Sequence, residues 1–245
     1  MDQGMYTAAA GAMAMEERLD MIANNLANTN TTGFKKDAVS YQKFQKVLDA
    51  SMLYSGQFRE KPVDVVIGKQ YIDASQGGFE DTRNPLDVAI AGEGFFAVNT
   101  PDGIRYTRSG NFTLSAEGLL VTQQGYTVQG QGGDITIGKG KVTISEGGSI
   151  MVDDVVADKL QVVSVEEKGL DRQGNSFYAP KQGFEATAVE QPEVRQGVLE
   201  SSNVDPITEM VGLITTQRAY ESFQKVIRAV NDTYSQSMRT VGAPA

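Results

Sequence analysis

In the stretch ANNLANTNTTGF, residues 23–34, a helical pattern of apolar residues ends and a run of polar residues begins. It carries four asparagines and three threonines before Gly33 and Phe34. Asparagine and threonine side chains compete for backbone hydrogen bonds, so a run of them disfavours a helix. Gly33 suits a left-handed residue that ends a helix, and Phe34 suits a hydrophobic contact that fastens this end. The asparagine amides then either mark the end of the helix or bond to a partner elsewhere.

The residues before this stretch form an apolar stripe at heptad spacing. This pattern predicts an amphipathic helix, and the small residues Ala8 and Ala12 would let a second helix approach closely. Packing of the stripe on its own domain is the plainer alternative to pairing with another long helix. The stripe consists of Met5, Ala8, Ala12, Met15, Leu19, Ile22 and Leu26.

The C-terminal end of the chain repeats the pattern, with apolar residues spaced alternately by three and four. Asp205 as the N-cap and Pro206 at the first helical position predict a helix over roughly 206–238. This second stripe consists of Leu213, Thr216, Tyr220, Phe223, Ile227, Val230 and Tyr234.

Between the two ends the chain is punctuated by glycine. Of its 26 glycines, 21 lie between Gly56 and Gly197, and short alternating runs such as NFTLSAEG and LLVTQQG lie between them. Short alternating runs separated by turn residues are typical of antiparallel strands.

The predicted fold class is therefore α+β, with long N- and C-terminal helices forming a coiled-coil-like helical domain and a central antiparallel β-rich domain. A helix of about 30 residues spans about 45 Å, so each stripe should bury itself against the other helix or a neighbouring copy. The predicted segments are an N-terminal helix over 1–34, an extended linker over 35–64, a β-rich domain over 65–190, a return linker over 191–204 and a C-terminal helix over 205–245.

Composition excludes several kinds of chemistry. The chain has no cysteine, histidine or tryptophan, which removes thiolate and imidazole metal sites and the Ser-His-Asp triad. We predict no catalytic, cofactor-binding or metal-binding residue, because the acidic group of Asp153, Asp154 and Asp158 lacks the spacing of a calcium loop. The net charge of −9 argues against nucleic acid. The acidic N-terminus is unlike a secretory signal, and no run of 18 apolar residues predicts membrane insertion.

Four segments of the chain, taken in order, resemble the axial proteins of the bacterial flagellum, the rod and hook subunits. NNLANTNTTGFK resembles the N-terminal signature of that family. The long segment GVLESSNVDPITEMVGLITTQRAYESFQKVI resembles the C-terminal helix of the family. The entry into the β domain and its central meander resemble NPLDVAIAGEGFFAV and YTRSGNFTLSAEGLLVTQQGYTV. Within the family the chain is most similar to the proximal-rod type, with the distal-rod type as the nearest alternative.

The resemblance implies a structural subunit of the basal-body rod, not an enzyme, that self-assembles through its terminal helices into a torque-transmitting shaft. Its expected partners are copies of itself, neighbouring rod proteins and the flagellar type III export apparatus. Its expected location is the rod within the periplasm, reached without a cleaved signal peptide. The alternatives are a distal-rod or hook subunit, and a β-domain protein that binds carbohydrate or hydrolyses glycan.

The two stripes are the expected helix interface, and the stretch at residues 23–34 is the expected register element. Apolar contacts are not directional, so buried amides would be needed to fix how far one helix slides along another. The register residues predicted here are Asn24, Asn25, Asn28, Asn30, Gly33 and Phe34.

Overall fold

The computed structural model describes residues 2–39, 70–138, 140–174 and 176–241. From residue 40 onward, the predicted linker over 35–64 lies outside the described residues, as does the start of the predicted β-rich domain. The described chain forms two compact units. The helical unit comprises, in its described parts, 2–26, 37–39, 70 and 206–241, and the β unit comprises 27–36 and 71–205.

The helical unit contains the two long helices, α1 (Asp2–Ala27) and α2 (Pro206–Val241). The predicted start of the second helix at Pro206 is confirmed. Within this unit a side chain at Gly11 would lie 2.6 Å from the ring of Phe223, and one at Gly212 would lie 3.6 Å from Ile22. Glycine at position 11 therefore lets α1 and α2 approach closely, whereas a side chain at position 212 would make an ordinary contact. The pairing of early with late residues makes the helices antiparallel there.

The expectation of a coiled-coil-like helical domain is wrong. A coiled coil buries an apolar side chain at every third or fourth residue along both helices. Over 206–236, the part of α2 with described side chains, only Thr216 is buried. The fold is α+β with two terminal helices and a large β-rich middle, and the described residues contain no long coiled-coil pair. The reason is physical: over 206–236 the predicted stripe on α2 is mostly half-buried, so no continuous buried seam forms along this part of the helix.

The strands are short, as the glycine-punctuated pattern predicts. Strands β1–β10 are Asp37–Val39, Gln70–Ile72, Phe79–Asp81, Val88–Ala91, Phe95–Thr100, Gly103–Thr107, Thr113–Leu114, Leu120–Val121, Thr127–Gly130 and Gly133–Asp134. Strands β11–β19 are Val142–Ile144, Ser149–Val152, Val155–Lys159, Val162–Ser164, Leu170–Arg172, Phe177–Pro180, Thr187–Ala188, Glu193–Gln196 and Val198–Glu200. A 3₁₀ helix, Glu167–Gly169, precedes β15.

One large sheet dominates the β unit. Its ten strands follow the order β15-β16-β6-β5-β9-β8-β7, with β10 beside β9 and β14 joining β5 to β17. Every strand pair of this sheet with an assigned register is antiparallel, as expected. A three-stranded sheet, β11-β12-β13, and three two-stranded sheets, β18-β4, β19-β3 and β1-β2, complete the described strands.

Strand β5 lies at the centre of the core and is buried on both faces. Phe96 packs in the larger hydrophobic cluster with Phe112 and Leu120, whereas Phe95 packs in a second cluster with Leu170 and Tyr178. Successive side chains of a strand point to opposite faces, so the run FFAV serves both clusters at once. The second cluster forms one wall of the site described next.

A buried ion-pair cluster as the candidate functional site

The segment after α1, residues 27–36, turns back into the β unit and is here called the N-terminal connector. Helix α1 ends at Ala27, and the next turns are closed by Thr31 N–H donating to Asn28 O at 3.1 Å and Phe34 N–H donating to Thr31 O at 3.2 Å. Gly33 is left-handed as expected, with φ of +66°. However, the helix has already ended before Gly33, so this glycine shapes the connector and does not cap the helix.

Gly33 allows a contact that no other residue could make. Its N–H donates to the backbone oxygen of Glu200 at 2.7 Å. A Cβ at this position would lie 2.4 Å from the backbone carbon of Arg108 and 2.4 Å from the nitrogen of Ser109. Real Cβ atoms do not approach backbone so closely, so the connector lies against the strand end only because residue 33 is glycine.

Three charged side chains meet beneath this contact. Lys35 Nζ lies 2.6 Å from Glu200 Oε1, and Arg108 NH1 lies 3.1 Å from Glu200 Oε2. The three side chains are at most 2% exposed. Lysine, arginine and glutamate are almost never fully buried unless they are paired, so the burial of these three side chains depends on their pairing. We call it the Glu200 cluster.

Backbone groups bond to most of the other donors and acceptors of the cluster, although the buried Nε of Arg108 has no hydrogen-bond partner among the described residues. Lys35 Nζ donates to Ser75 O at 2.6 Å, and the N–H of Gly77 donates to Glu200 Oε1 at 2.9 Å. The Arg108 guanidinium donates to Ile90 O at 3.2 Å and to Gly92 O at 2.6 Å. Bonds of this kind are what makes burial of a charge tolerable.

Aromatic rings close the side of the cluster. The guanidinium of Arg172 lies 4.4 Å from the ring centroid of Phe34 and donates to the backbone oxygen of Lys35 at 2.5 Å. The Tyr178 hydroxyl accepts from Lys35 N–H at 3.2 Å. Phe34 is 2% exposed and lies against Arg172 in a cation–π contact, and its predicted role of fastening the helix end stays a prediction.

Asn203 ties the returning chain to the same place. The segment 200–205, which leads into α2, is here called the C-terminal connector. Asn203 Oδ1 accepts from Lys36 N–H at 2.8 Å, and its amide donates to Asp73 O at 2.9 Å. The Asn203 N–H also donates to Phe34 O at 3.3 Å. The two connectors are therefore bonded both to each other and to other segments of the β unit, of which they are part.

The cluster carries two cations and one anion. Burial lowers the pKa of the Lys35 amine and that of the Arg108 guanidinium, because desolvation outweighs the attraction of Glu200 in each case. Among the described residues, Glu200 is the one carboxylate that forms an ion pair with both cations.

Replacing Lys35 by Met should change how stability depends on alkaline pH. Because the folded-state pKa of Lys35 lies below the value of 10.5 for an unperturbed lysine, the unfolded chain binds more protons between the two values. The free energy of unfolding of the native chain, minus that of Lys35→Met, should therefore rise with pH up to about 10.4. Urea unfolding at a series of alkaline pH values measures this difference. A flat line for Lys35 would contradict the assignment.

Among the predicted register residues, Asn25 has its partner inside the helical unit. Its amide donates to Asp37 O at 3.0 Å, and its Oδ1 accepts from Asp37 N–H at 2.9 Å. Asn25 is 1% exposed. Asn28 Oδ1 accepts from the Thr31 hydroxyl at 3.0 Å, while Asn24 and Asn30 are exposed side chains. The register role of these amides between copies stays a prediction.

The predicted stripes are unevenly covered. On α1, Ala8, Ala12 and Ile22 are buried, and the remaining stripe residues, Met5, Met15, Leu19 and Leu26, are half-buried. On α2, Thr216 is buried and the other stripe residues are half-buried. They are the less exposed face of α2, and their role as an interface stays a prediction.

Sequence reasoning gave no role to Lys35, Arg108, Glu200 or Asn203. All four are polar residues in segments that resemble the family. Single polar or charged residues in loops usually face solvent, so these four did not stand out. Lys35 and Glu200 are 165 residues apart, so no local pattern links them. The one available signal was a glutamate in the apolar strand run VLE.

Comparison with known proteins defines the class to which this arrangement belongs. Residues 5–35 match a family described as flagella basal body rod protein, residues 89–152 match the flagellar hook protein FlgE/F/G D1 domain, and residues 195–240 match the flagellar basal body rod FlgEFG protein C-terminal family. The class is the rod and hook proteins of the flagellum. The matched segments 5–35 and 195–240 include both connectors.

Full-length relatives narrow the class. The chain is 32% identical to the flagellar basal-body rod protein FlgF of Mesorhizobium japonicum over 99% of each chain, and 35% identical to FlgF of Caulobacter vibrioides over 93% of each. It is 34% identical to the basal-body rod protein FlgG of Caulobacter vibrioides, over 92% of this chain and 94% of the relative. The chain belongs to the flagellar basal-body rod protein family and is a structural rod subunit. The comparisons support the FlgF type, and the FlgG relatives fit the alternative.

Neither described helix has both the length and the apolar character that a bilayer-spanning helix requires. The described residues contain no group of three or more acidic side chains placed to hold a metal ion.

Proposed function

We propose that this chain is a subunit of the proximal part of the rod, that α1 and α2 make the contacts between subunits, and that the Glu200 cluster fixes the β unit to both connectors. The observation that carries the assembly role is an exposed apolar surface on α2. Ile207, Met210, Val211 and Ile214 are 70%, 46%, 57% and 52% exposed.

These four residues recur at the spacing of one helix face. Residues three and four apart lie side by side on a helix, so the four side chains form a continuous apolar patch. Monomeric soluble proteins rarely leave such contiguous patches uncovered, and larger ones mark sites of protein association. We call this surface the α2 patch, and its occupants are copies of this chain and neighbouring rod proteins.

The Glu200 cluster supplies the mechanical part of the proposal. A load applied to either helix passes along a connector before it reaches the β unit. Apolar contacts resist sliding weakly because they have no preferred direction, whereas charge-assisted hydrogen bonds are directional. Lys35 and Glu200 join the N-terminal and C-terminal connectors by such a bond of 2.6 Å, so torque can pass through both connectors together.

The resemblance to flagellar axial proteins supports the remaining parts of the proposal. The subunit is exported unfolded through the flagellar type III apparatus and assembles in the periplasm without losing a signal peptide. Rod assembly then buries the α2 patch.

Replacing Ile214 by Lys tests the assembly role. Ile214 is exposed, so the purified variant should keep the helix content and melting temperature of the native chain. In cells lacking the native protein the variant should fail to enter rods and the cells should not swim, because a lysine placed in a buried apolar contact costs about 2 kcal/mol or more. Isolated basal bodies and swimming in soft agar measure the two results. The matched control, Ser222→Lys, changes an exposed position two turns beyond the patch and should swim; a swimming Ile214→Lys strain would refute the assembly role.

The distal rod is the second candidate position, because the FlgG relatives match the chain with comparable identity and coverage. Expression in two strains, each lacking one of the two native rod proteins, separates the positions. We expect swimming to return only in the strain that lacks the proximal protein.

A further inference from the structure

The β unit contains a small cavity beside the N-terminal connector. Its volume is about 130 Å³. Its walls come from the connector, the end of β6, the turn between β8 and β9, and the start of β16. The lining residues are Thr31, Thr32, Thr107, Ser109, Asn111, Thr122, Gln123, Gln124, Ser176 and Phe177.

The chemistry of the lining is uniform. Nine of the ten side chains carry a hydroxyl or a carboxamide, and none of the ten is ionisable. A lining of this kind offers both donors and acceptors and no net charge. It therefore suits a neutral ligand with several hydroxyl or amide groups, and it offers nothing to balance the charge of a phosphate or an ammonium ion.

Part of the hydrogen-bonding capacity is used to hold the walls in place. Ser109 Oγ donates to Asn111 Oδ1 at 2.6 Å, Thr107 Oγ1 donates to Ser176 O at 3.0 Å, and Gln123 Nε2 donates to Asn111 O at 2.9 Å. These bonds fix the side chains before any ligand arrives, which lowers the entropy cost of binding.

The rest of the hydrogen-bonding capacity is not used within the described part of the chain. In the described part of the chain, no hydrogen bond occupies the Asn111 amino group, the Gln123 side-chain oxygen, the Thr32 hydroxyl or the Gln124 amide. The cavity lining thus has one unused donor, one unused acceptor, and two unused groups that can both donate and accept hydrogen bonds.

We propose that this cavity binds a neutral sugar unit. A protein partner is the less suitable occupant, because interface hot spots are rich in Trp, Tyr and Arg and poor in Ser and Thr. Phe177 is the only aromatic residue of the lining, and its ring is buried in the larger hydrophobic cluster, so the polar groups would make the contacts to the sugar. The proposal does not depend on assembly of the chain into a rod.

The size of the cavity limits how much of the sugar can enter. A volume of 130 Å³ holds about four water molecules, well below the roughly 300–1,000 Å³ of pockets that enclose a drug-sized ligand. One edge of a single sugar ring, or its acetamido group, fills such a space. Binding should accordingly be weak, with a Kd on the order of 1 mM.

Titration of the ¹⁵N-labelled full chain with N-acetylglucosamine, followed by NMR, tests the proposal. Saturable shifts of the Thr32, Asn111 and Gln124 backbone amides are expected. Titrations with glucose and with acetamide show whether the hydroxyls or the acetamido group make the main contact, and saturable shifts with at least one of the three compounds are required.

The test variant is Thr32→Val/Gln124→Ala, which removes two unoccupied polar groups and no wall bond. It should weaken binding at least fivefold, whereas the control Gln182→Ala, an exposed turn glutamine outside the cavity, should bind like the native chain. The absence of saturable shifts at 50 mM sugar, or equal binding by the double variant, would overturn the proposal. Loss of self-association in the double variant without sugar binding by the native chain would overturn it in favour of a contact between copies.

Discussion

Replacing Glu200 by Gln should lower the free energy of unfolding of the full chain by about 3–5 kcal/mol, the usual cost of removing one partner from a buried ion pair. Lys35 and Arg108 would both lose the anion that accepts from them, and both side chains are fully buried. Gln keeps the size and one acceptor oxygen, so the loss reports charge and not volume. Urea unfolding followed by tyrosine fluorescence, with Tyr178 beside the cluster, measures it.

The control for this change is Glu193→Gln. Glu193 and Arg195 form an ion pair that is 63% and 52% exposed, and exposed pairs contribute little to stability. The double variant Lys35→Met/Glu200→Gln should lose less than the sum of its single variants, because one of the two stranded cations is gone. A Glu200→Gln chain as stable as Glu193→Gln would show that the cluster does not hold the connectors.

Replacing Gly33 by Ala should be the second large loss. A left-handed backbone costs an alanine roughly 1–3 kcal/mol, and the added Cβ would also meet backbone atoms of Arg108 and Ser109 at 2.4 Å. The connector would have to move, which separates Gly33 N–H from Glu200 O and pulls Lys35 away from the carboxylate. Thermal unfolding of the full chain and amide hydrogen exchange at Phe34 and Lys35 measure both effects.

Two other glycines separate the causes of that loss. Gly183 has φ of +91° and open space around it, so Gly183→Ala reports the backbone strain alone. Gly78 has open space without a positive φ and gives the baseline. Gly33→Ala should be the least stable of the three. Equal losses of stability for Gly33→Ala and Gly183→Ala would show that contact with the Arg108 and Ser109 backbone does not contribute.

Local patterns in the sequence predicted some of the elements, although the predicted return linker over 191–204 contains strands β18 and β19, and α1 ends at Ala27 within the predicted helix over 1–34. The Asp205-Pro206 pair predicted where α2 begins, and the glycines between short alternating runs predicted an antiparallel β region. Both signals are local, because caps and turns are set by residues a few positions apart. The left-handed conformation of Gly33 was predicted for the same reason, although its place after the end of α1 was not.

Long-range pairing could not be predicted in the same way. The heptad stripes suggested a coiled-coil-like domain, but periodicity reports only that one face of a helix is apolar and not what covers it. The Glu200 cluster was missed because its three charged residues come from the N-terminal connector, the end of β6 and the end of β19. Only the fold of the β unit brings them together, and single charged residues carry no sign of their future partners.

The asparagines of the opening stretch have a clearer role in the structure than in the sequence. Asn25 bonds both backbone groups of Asp37 within its own chain, so at least one of these amides is satisfied without a neighbour. The residues that follow, from Thr31 to Lys35, belong to the β unit and carry the chain to the Glu200 cluster. The stretch therefore joins the end of a helix to an anchor in the β unit.

The most direct test of the proposed role is an electron cryomicroscopy map of basal bodies that contain this chain. The account predicts the chain in the proximal rod, with Ile207 and Ile214 of α2 covered by a neighbouring subunit and with Glu200 still bonded to Lys35 and Arg108. A map in which the α2 patch faces solvent, or in which the chain is absent from the rod, would contradict it.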